Sequence, residues 1–144
     1  MYGDTKMSAL SALTYEECPH FMPVQEGTSV KCVRVVDGDT LWAAWTTPEG
    51  PRRVCVRLRG IDTPELRSHD PAERAAASRA RDLLCEMVEN RVVTLTKIGL
   101  EKYGRVLADV QVEGQSVSHL LLQHPELCRT YSGGVKRPFC AETD

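Results

Sequence analysis

The sequence predicts an α+β fold: a five-stranded Greek-key β-barrel of the OB type, with one long helix after strand 3 and a short helix after strand 5. Five short segments rich in β-branched residues, separated by Gly, Pro and Asp turns, predict the strands. A segment with a clear start signal and one apolar face predicts the long helix. With 144 residues, the chain is long enough for one domain with a hydrophobic core and short for two.

The first three strands are predicted to form a meander. They span residues 28–36, 41–45 and 52–58. The sequence Asp-Gly-Asp-Thr at residues 37–40 predicts the first turn, and Pro-Glu-Gly-Pro at residues 48–51 predicts the second. Because strands joined by such short turns pair with their neighbours, these three strands are expected to form one sheet.

The third strand has the period-2 pattern of a strand with one buried face. Val54, Val56 and Leu58 share one parity, which predicts that they face the core. Arg57 falls on the other parity and is therefore predicted to point away from the core. A glycine and a proline soon after Leu58 end the strand pattern and begin a loop.

A long helix is predicted after this loop. Asp70 can act as the N-cap, Pro71 suits the first helical position, and Glu73 would complete a capping box. The helical pattern runs to about Glu89. Its apolar stripe is expected to cover the core and consists of Ala76, Ala80, Leu83, Leu84, Met87 and Val88.

Two further strands and a short helix complete the predicted fold. The strands span residues 92–96 and 105–112. Ser116 can cap a short helix that ends before Pro125. Residues 28–144 are therefore assigned to one domain with an irregular C-terminal tail. Residues 1–27 lack clean periodicity and are assigned to an irregular N-terminal extension.

Composition excludes a membrane protein and favours an intracellular one. No apolar run approaches the length that crosses a bilayer, and the N-terminus lacks the basic and apolar regions of a secretory signal. The net charge of −2 argues weakly against bulk attraction to nucleic acid. Arginines are nevertheless clustered over residues 52–67, so charge distribution matters more than the sum.

The six cysteines are expected to be mostly free thiols, because no secretory signal places the chain in an oxidising compartment. Two alternatives remain. Cys18, His20, Cys128 and Cys140 could hold zinc, although their spacing matches no recognised ligand pattern. Cys18 and Cys140 could instead form a disulfide that joins the two ends of the chain.

The loop after the third strand carries two hard oxygen donors. Asp62 and Glu65 follow the strand that contains Arg57. Carboxylates bind hard cations, and a guanidinium binds phosphate oxygens, so the combination indicates phosphate chemistry.

Three separated motifs carry a resemblance to a known family. They are Val36-Asp37-Gly38-Asp39-Thr40, then Arg57-Leu58-Arg59-Gly60-Ile61-Asp62-Thr63-Pro64-Glu65, and then Lys102-Tyr103-Gly104-Arg105 followed by Leu107-Ala108. With these motifs, in this order, the chain resembles the staphylococcal nuclease (thermonuclease) family. The resemblance covers about residues 28–131 and implies a five-stranded OB barrel.

The resemblance implies a calcium-dependent, sequence-nonspecific endo/exonuclease. Its substrates would be DNA and RNA, preferably single-stranded, and its products would carry 3′-phosphates. Asp39 and Asp62 would hold Ca²⁺ with their carboxylates, and Thr63 would add its backbone carbonyl. The expected partners are therefore nucleic acids, with no membrane contact, and the protein is expected to be a monomer.

The resemblance also assigns catalytic and substrate-binding roles. Glu65 would polarise the attacking water, and Arg57 and Arg105 would clamp the scissile phosphate. A planar guanidinium can bond two phosphate oxygens at once, which explains arginine rather than lysine at both positions. The residues expected to contact neighbouring phosphates are Lys102, Tyr103 and Tyr131.

Each signal has a structural alternative when it is taken alone. Residues 37–40 could be an ordinary turn, and Arg57 or Arg105 could be a surface ion-pair residue. Tyr103 and Tyr131 could be packing residues at the barrel edge. The alternative function is a catalytically weak module of the same fold that binds nucleic acid or protein. Intact carboxylates and arginines in all three motifs argue against that alternative.

Overall fold

The structure, a computed structural model, describes residues 9–134 and residue 139, and the side chain of Tyr103 lies outside the described part. The strands are β1 (Thr28–Asp37), β2 (Thr40–Thr47), β3 (Gly50–Leu58), β4 (Ile61–Asp62), β5 (Val92–Leu100), β6 (Val106–Val112), β7 (Gln115–Ser116) and β8 (Arg129–Thr130). The helices α1 (Pro71–Val88) and α2 (Val117–Leu121) follow β4 and β7, and a 3₁₀ helix spans Lys102–Gly104.

Five strands close into a mixed barrel, which confirms the predicted fold class. The strands are hydrogen-bonded in the order β3-β2-β1-β5-β6, and a parallel pairing of β3 with β6 closes the circle. In that pairing Arg57 lies opposite Leu107. In the antiparallel pairing of β2 with β3, Arg57 lies opposite Thr40. Closure therefore brings the ends of β2, β3 and β6 to one side of the barrel.

The core fills the barrel and the space beneath α1. Val54, Val56 and Leu58 are buried, as their parity predicts. The largest fully buried side chains are Leu41, Leu58, Ile61, Leu84, Leu95, Leu121, Val35, Val56, Val88, Val93, Val106 and Val110. They come from the sheet and both helices, so one continuous core joins these elements.

The strands of the barrel start and end a few residues from their predicted limits. β5 continues to Leu100 through an irregularity between Thr96 and Gly99, and β6 begins at Val106. The pairing of β4 with β8 was not predicted. Each of these strands has two residues, which is too short to show a period in the sequence.

The start of α1 differs from the predicted capping box. The Asp70 side chain accepts from the N–H of Ala72 at 2.9 Å, so Asp70 is the N-cap as predicted. Glu73 does not close the box, because its Oε2 accepts from the N–H of Glu65 at 3.0 Å. The N–H of Asp70 donates to Ser68 Oγ instead. The loop before α1 folds back over the helix start, so Glu73 finds a donor in that loop.

The end of the N-terminal segment packs onto the barrel. Val24 is buried, and Met22 packs against the core. The N–H of Gly27 donates to the carbonyl of Leu95 at 2.8 Å, and Glu26 accepts from the backbone of β5. Further from the barrel, Tyr15 is exposed. In the described part of the chain, no helix combines the length and apolar character needed to cross a membrane.

Gly38 lies in the β1–β2 turn against α1 and the loop after β4. A Cβ at this position would lie 2.8 Å from Ala80 Cβ and 2.9 Å from Thr63 Oγ1. Replacing Gly38 with alanine is therefore expected to lower the free energy of unfolding by about 1–3 kcal/mol, because the core must shift to admit the methyl group. Urea denaturation measures this change.

Ala80→Gly provides the control for this prediction. By itself it is expected to cost about 1 kcal/mol, because glycine is unfavourable within a helix. When combined with Gly38→Ala, it removes the closer of the two contacts. The double variant should therefore lose less free energy of unfolding than the two single variants added together. Simple additivity would show that the contact with Ala80 is unimportant.

Candidate active site

A polar cavity of about 220 Å³ opens at the end of the barrel where β2, β3 and β6 meet. Its lining consists of Asp37, Asp39, Thr40, Arg57, Thr63, Pro64, Glu65 and Arg105. The β1–β2 turn, the end of β3, the loop after β4 and the residue before β6 all contribute. Five of the predicted site residues, Asp39, Arg57, Thr63, Glu65 and Arg105, therefore share this cavity.

Arg57 is buried, with only 7% of its surface exposed. Its Nη2 lies 3.4 Å from Asp39 Oδ2 and 3.7 Å from Asp62 Oδ1. Its Nη1 donates to the carbonyl of Leu58 at 2.7 Å. Arg57 does leave the apolar face of β3, but the prediction did not anticipate its burial. The β1–β2 turn and the loop after β4 close over it, and the two carboxylates compensate its charge.

Asp37 belongs to the site but was predicted only as a turn residue. Its Oδ1 accepts from the N–H of Asp39 at 3.1 Å, and Thr40 Oγ1 donates to Asp39 Oδ1 at 3.0 Å. Burial, together with a hydrogen bond to Asp39 and repulsion from its charge, raises the pKa of Asp37 to about 7. The cavity thus contains closely spaced acidic groups that disfavour further negative charge.

Asp62 is held by the C-terminal part of the described chain. It is 2% exposed and pairs across β4 and β8 with Arg129. Arg129 Nη2 lies 3.8 Å from Asp62 Oδ2, and the N–H of Tyr131 donates to the carbonyl of Gly60 at 2.8 Å. Arg129 was not predicted as a site residue. It follows no motif, and only the fold brings it to Asp62.

Glu65 is exposed at the rim of the cavity, and its backbone is fixed from α1. Glu73, which is 9% exposed, accepts from the N–H of Glu65 and so ties the loop to the first turn of the helix. Thr63 is buried in the same loop. Through this hydrogen bond Glu73 positions the backbone of Glu65. The sequence suggested only a capping role for Glu73.

Arg105 forms an ion pair with Glu101 across the 3₁₀ helix. Its side chain is 36% exposed and lines the cavity opposite the acidic groups. Glu101 was not predicted as a site residue, because the third motif begins one residue later. The pair holds the Arg105 guanidinium at the cavity edge while leaving it accessible to solvent.

A second cavity of about 420 Å³ adjoins the first and shares Arg57 with it. Leu58, Ile61, Leu107 and Tyr131 contribute to its lining. Because Leu58 and Ile61 are fully buried, Leu107 and Tyr131 supply the accessible side chains among these four, and Tyr131 lies here as a wall residue. Tyr131 Oη donates to the carbonyl of Gly134 at 3.0 Å.

Lys102 and Tyr103 were also predicted to contact phosphates, and the structure gives less support for these two residues. Lys102 is exposed in the 3₁₀ helix and does not contribute to the described lining of either cavity. Tyr103 follows it, but its side chain lies outside the described part of the structure. A role for either residue in binding phosphates stays a prediction.

The donor set fits a hard cation. Asp39 and Asp62 present carboxylate oxygens to the same guanidinium nitrogen, and Thr63 follows directly with its carbonyl. Such oxygens are the ligands that Ca²⁺ takes in a flexible shell. Within residues 9–134 and 139, no three His, Cys, Asp or Glu side chains group closely enough to form a metal site. A bound cation would therefore need carbonyl, water and phosphate oxygens as well.

The described cysteines, Cys18, Cys32, Cys55, Cys85 and Cys128, are free thiols, as expected. Burial raises the pKa of Cys128 to about 12, helped by the charges of Asp39 and Asp62, so its thiol stays protonated. The zinc and disulfide alternatives both require Cys140, which lies outside the described residues.

Comparison with known proteins shows the family of the chain. A family model described as staphylococcal nuclease homologue matches residues 55–128, just over half of the chain. An uncharacterized endonuclease of Haemophilus influenzae is 29% identical over 94 residues, which cover 65% of this chain and 48% of that protein. An uncharacterized endonuclease of Escherichia coli is 28% identical over 94 residues, with coverage of 65% and 55%. The chain spans about half the length of these curated relatives.

Proposed function

The chain belongs to the family of staphylococcal nuclease homologues, and from this premise we propose that it is a calcium-dependent nuclease. It would hydrolyse phosphodiester bonds of single-stranded DNA and RNA without sequence preference and leave 3′-phosphates. The observation that carries the proposal is the single cavity shared by Asp39, Arg57, Thr63, Glu65 and Arg105. Two relatives that bear the name endonuclease support the same class of activity.

Arg57 and Arg105 would bind the scissile phosphate. A phosphodiester is an anion that repels hydroxide, so its negative charge must be neutralised before water can attack. Arg57 and Arg105 line the same 220 Å³ cavity and can each offer two parallel N–H donors. Arg57 contacts Asp39 and Asp62 in this structure, so phosphate and calcium would have to replace these contacts when they bind.

Asp39, Asp62 and the carbonyl of Thr63 would hold Ca²⁺ next to that phosphate. Bound there, the cation would supply positive charge to a phosphoryl oxygen and to the attacking water. The three residues are buried, and Asp39 and Thr63 line the 220 Å³ cavity. This buried arrangement supports the assignment of the metal site to these residues.

Glu65 would orient the attacking water. The hydrogen bond from its N–H to Glu73 fixes the backbone, while the carboxylate stays at the exposed rim where water enters. Water oxygen would bond to phosphorus as the bond from phosphorus to the 5′-oxygen breaks. The proton released by water would pass to Glu65 or solvent, and the 5′-oxygen would take up a proton from solvent.

The second cavity supports a preference for single strands. Leu107 and Tyr131 offer partly exposed apolar side chains to a nucleoside whose phosphate lies at Arg57. A nucleoside enters such a cavity only after its base leaves the helical stack. This step costs free energy in duplex DNA and little in a single strand.

Calcium dependence is the direct test. Purified protein is expected to degrade single-stranded DNA in millimolar Ca²⁺ and to lose at least about 100-fold in rate with excess chelator, because the metal neutralises charge at the phosphate. Release of acid-soluble nucleotides measures the rate. Restored cleavage after Ca²⁺ is added back controls for damage by the chelator. Cleavage that is indifferent to chelator would contradict the proposal.

A second candidate function is favoured by the ion pairs of the two arginines. Arg57 is paired with Asp39 and Asp62, and Arg105 with Glu101. If these pairs persisted with nucleic acid present, the protein would bind strands without cutting them efficiently. An oligonucleotide that binds in calcium and remains intact would support this alternative over the nuclease.

A further inference from the structure

A third cavity, of about 480 Å³, lies beside the second one and shares Arg59 and Gly60 with it. Lys97, Asp109, Ser116, Ser118, His119 and Leu122 complete its described lining. None of the three sequence motifs extends to this wall beyond Arg59 and Gly60. The three cavities form a chain along the end of β3, because Arg57 joins the first to the second and Arg59 joins the second to the third.

Lys97 is held at this cavity in a strained backbone conformation. Its φ of 52° is in the left-handed region, which a lysine rarely adopts. The carboxylate of Glu26 accepts from the N–H of Lys97 at 2.6 Å and from that of Ile98 at 3.1 Å. On the other side, Arg59 Nε donates to the Lys97 carbonyl at 2.8 Å. Strain held from both sides, at a strand irregularity that redirects a side chain, points to a functional position.

Arg59 is placed across this irregularity by a glycine. A Cβ at Gly99 would lie 2.7 Å from Arg59 Nη2, so only glycine leaves room for the guanidinium in its present position. The N–H of Arg59 donates to the carbonyl of Ala108 at 2.8 Å, which anchors its backbone to β6. The cation therefore has a defined place at the junction of the second and third cavities.

The polar groups of the third cavity leave hydrogen-bonding capacity for a ligand. Asp109 supplies the carboxylate of the described wall. Its Oδ1 already accepts a hydrogen bond from Ser116 Oγ at 2.8 Å. Ser118 is 7% exposed, and its Oγ has no hydrogen-bond partner among the described residues. This oxygen is fully buried, so a ligand in the cavity does not reach it in its present position. His119 adds an exposed ring nitrogen pair at the same wall.

We propose that this third cavity binds a phosphate of the substrate strand, beyond the nucleoside in the second cavity. The inference rests on the proposed nuclease function, because continuity with the catalytic cavity identifies the ligand as the same nucleic acid. Lys97 and Arg59 supply the positive charge, and the exposed ring of His119 supplies a further hydrogen-bonding group. The subsite would capture single strands long enough to span all three cavities and would favour them over short fragments.

Strand length provides the test. Binding is measured in chelator, so that nothing is cut, with a dinucleotide and with a single-stranded DNA of about eight nucleotides, within the range that an OB barrel covers. Lys97→Gln removes the charge and keeps a polar side chain that is one atom shorter. It is expected to weaken binding of the longer strand by about 3–10-fold and to reduce the salt slope of log K by about 0.7, the value for one phosphate contact on a single strand. The dinucleotide should be affected much less.

Two further variants sharpen the result. Lys31→Gln removes an exposed lysine of β1 that belongs to none of the three described linings, and it should leave both affinities within twofold. Gly99→Ala keeps every charge but forces the Arg59 guanidinium to move. It should weaken binding of the longer strand selectively, as Lys97→Gln does.

The proposal is overturned if Lys97→Gln affects the dinucleotide and the longer strand equally, or if it behaves like Lys31→Gln. Calcium-dependent cleavage of the dinucleotide by the unmodified protein is the separate readout for the proposed nuclease function. Normal cleavage together with an unaltered length dependence in Lys97→Gln would remove the subsite alone. Absence of both binding and cleavage in the unmodified protein would remove both proposals.

Discussion

Replacing Arg57 with alanine is expected to lower the free energy of unfolding by about 3–5 kcal/mol, because two buried carboxylates lose the charge that compensates them. Arg57 is 7% exposed, and its Nη2 lies 3.4 Å from Asp39 and 3.7 Å from Asp62. Urea denaturation in chelator measures the loss without a contribution from bound cation. Nuclease activity should also fall by at least about 100-fold, since a charged donor to the developing phosphate charge is lost.

Arg52→Ala is the matched control for this substitution. Arg52 is an exposed arginine of the same strand, so its removal should change the free energy of unfolding by no more than about 0.5 kcal/mol. Neutralising a partner gives a second check. Asp39→Asn combined with Arg57→Ala should cost less than the two single losses added together. Equal effects of Arg52→Ala and Arg57→Ala would show that the buried ion pairs do not stabilise the fold.

Replacing Glu65 with glutamine is expected to reduce the rate of cleavage by about 100- to 10,000-fold while leaving the affinity for single-stranded DNA within about threefold. Glutamine has nearly the same shape and keeps an oxygen acceptor, but it carries no charge and cannot take up a proton at pH 7. The hydrogen bond from the N–H of residue 65 to Glu73 involves only the backbone and should persist. Single-turnover cleavage measured in Ca²⁺ gives the rate, and binding measured in chelator gives the affinity.

Glu86→Gln is the matched control, since Glu86 is exposed on α1 and belongs to none of the described cavity linings. It should cleave at the unmodified rate. Wild-type cleavage by Glu65→Gln would refute a role of this carboxylate in orienting water. A large loss of affinity in Glu65→Gln would instead indicate that Glu65 helps to hold the metal and the substrate.

Local patterns predicted the elements of the fold because burial of apolar residues repeats with the period of each element. Val54, Val56 and Leu58 alternate along β3, and all three are buried. Val106 and Ala108 show the same alternation in β6. The pairing of β4 with β8 could not be found in this way, because two residues contain no repeat.

Residues missed in the site differ in how much signal they carried. Asp37 belongs to the first motif and could have been assigned from its position beside Asp39. Glu73 had an adequate local explanation as a capping residue, which concealed its contact with the loop of Glu65. Glu101 and Arg129 carried no signal, because each is defined only by the charged residue that it meets in space.

The sequence by itself determined the order of the five barrel strands and the two helices, the single core, and the acidic and basic residue types that a phosphodiester requires. Only the tertiary structure decided that Arg57 is buried between Asp39 and Asp62, and that Lys97 and Arg59 continue the series of cavities. The physical reason is that the position of a residue along a strand indicates only the face of the sheet on which its side chain lies. Its burial and its charge partners depend on distant segments, which meet only when the barrel closes.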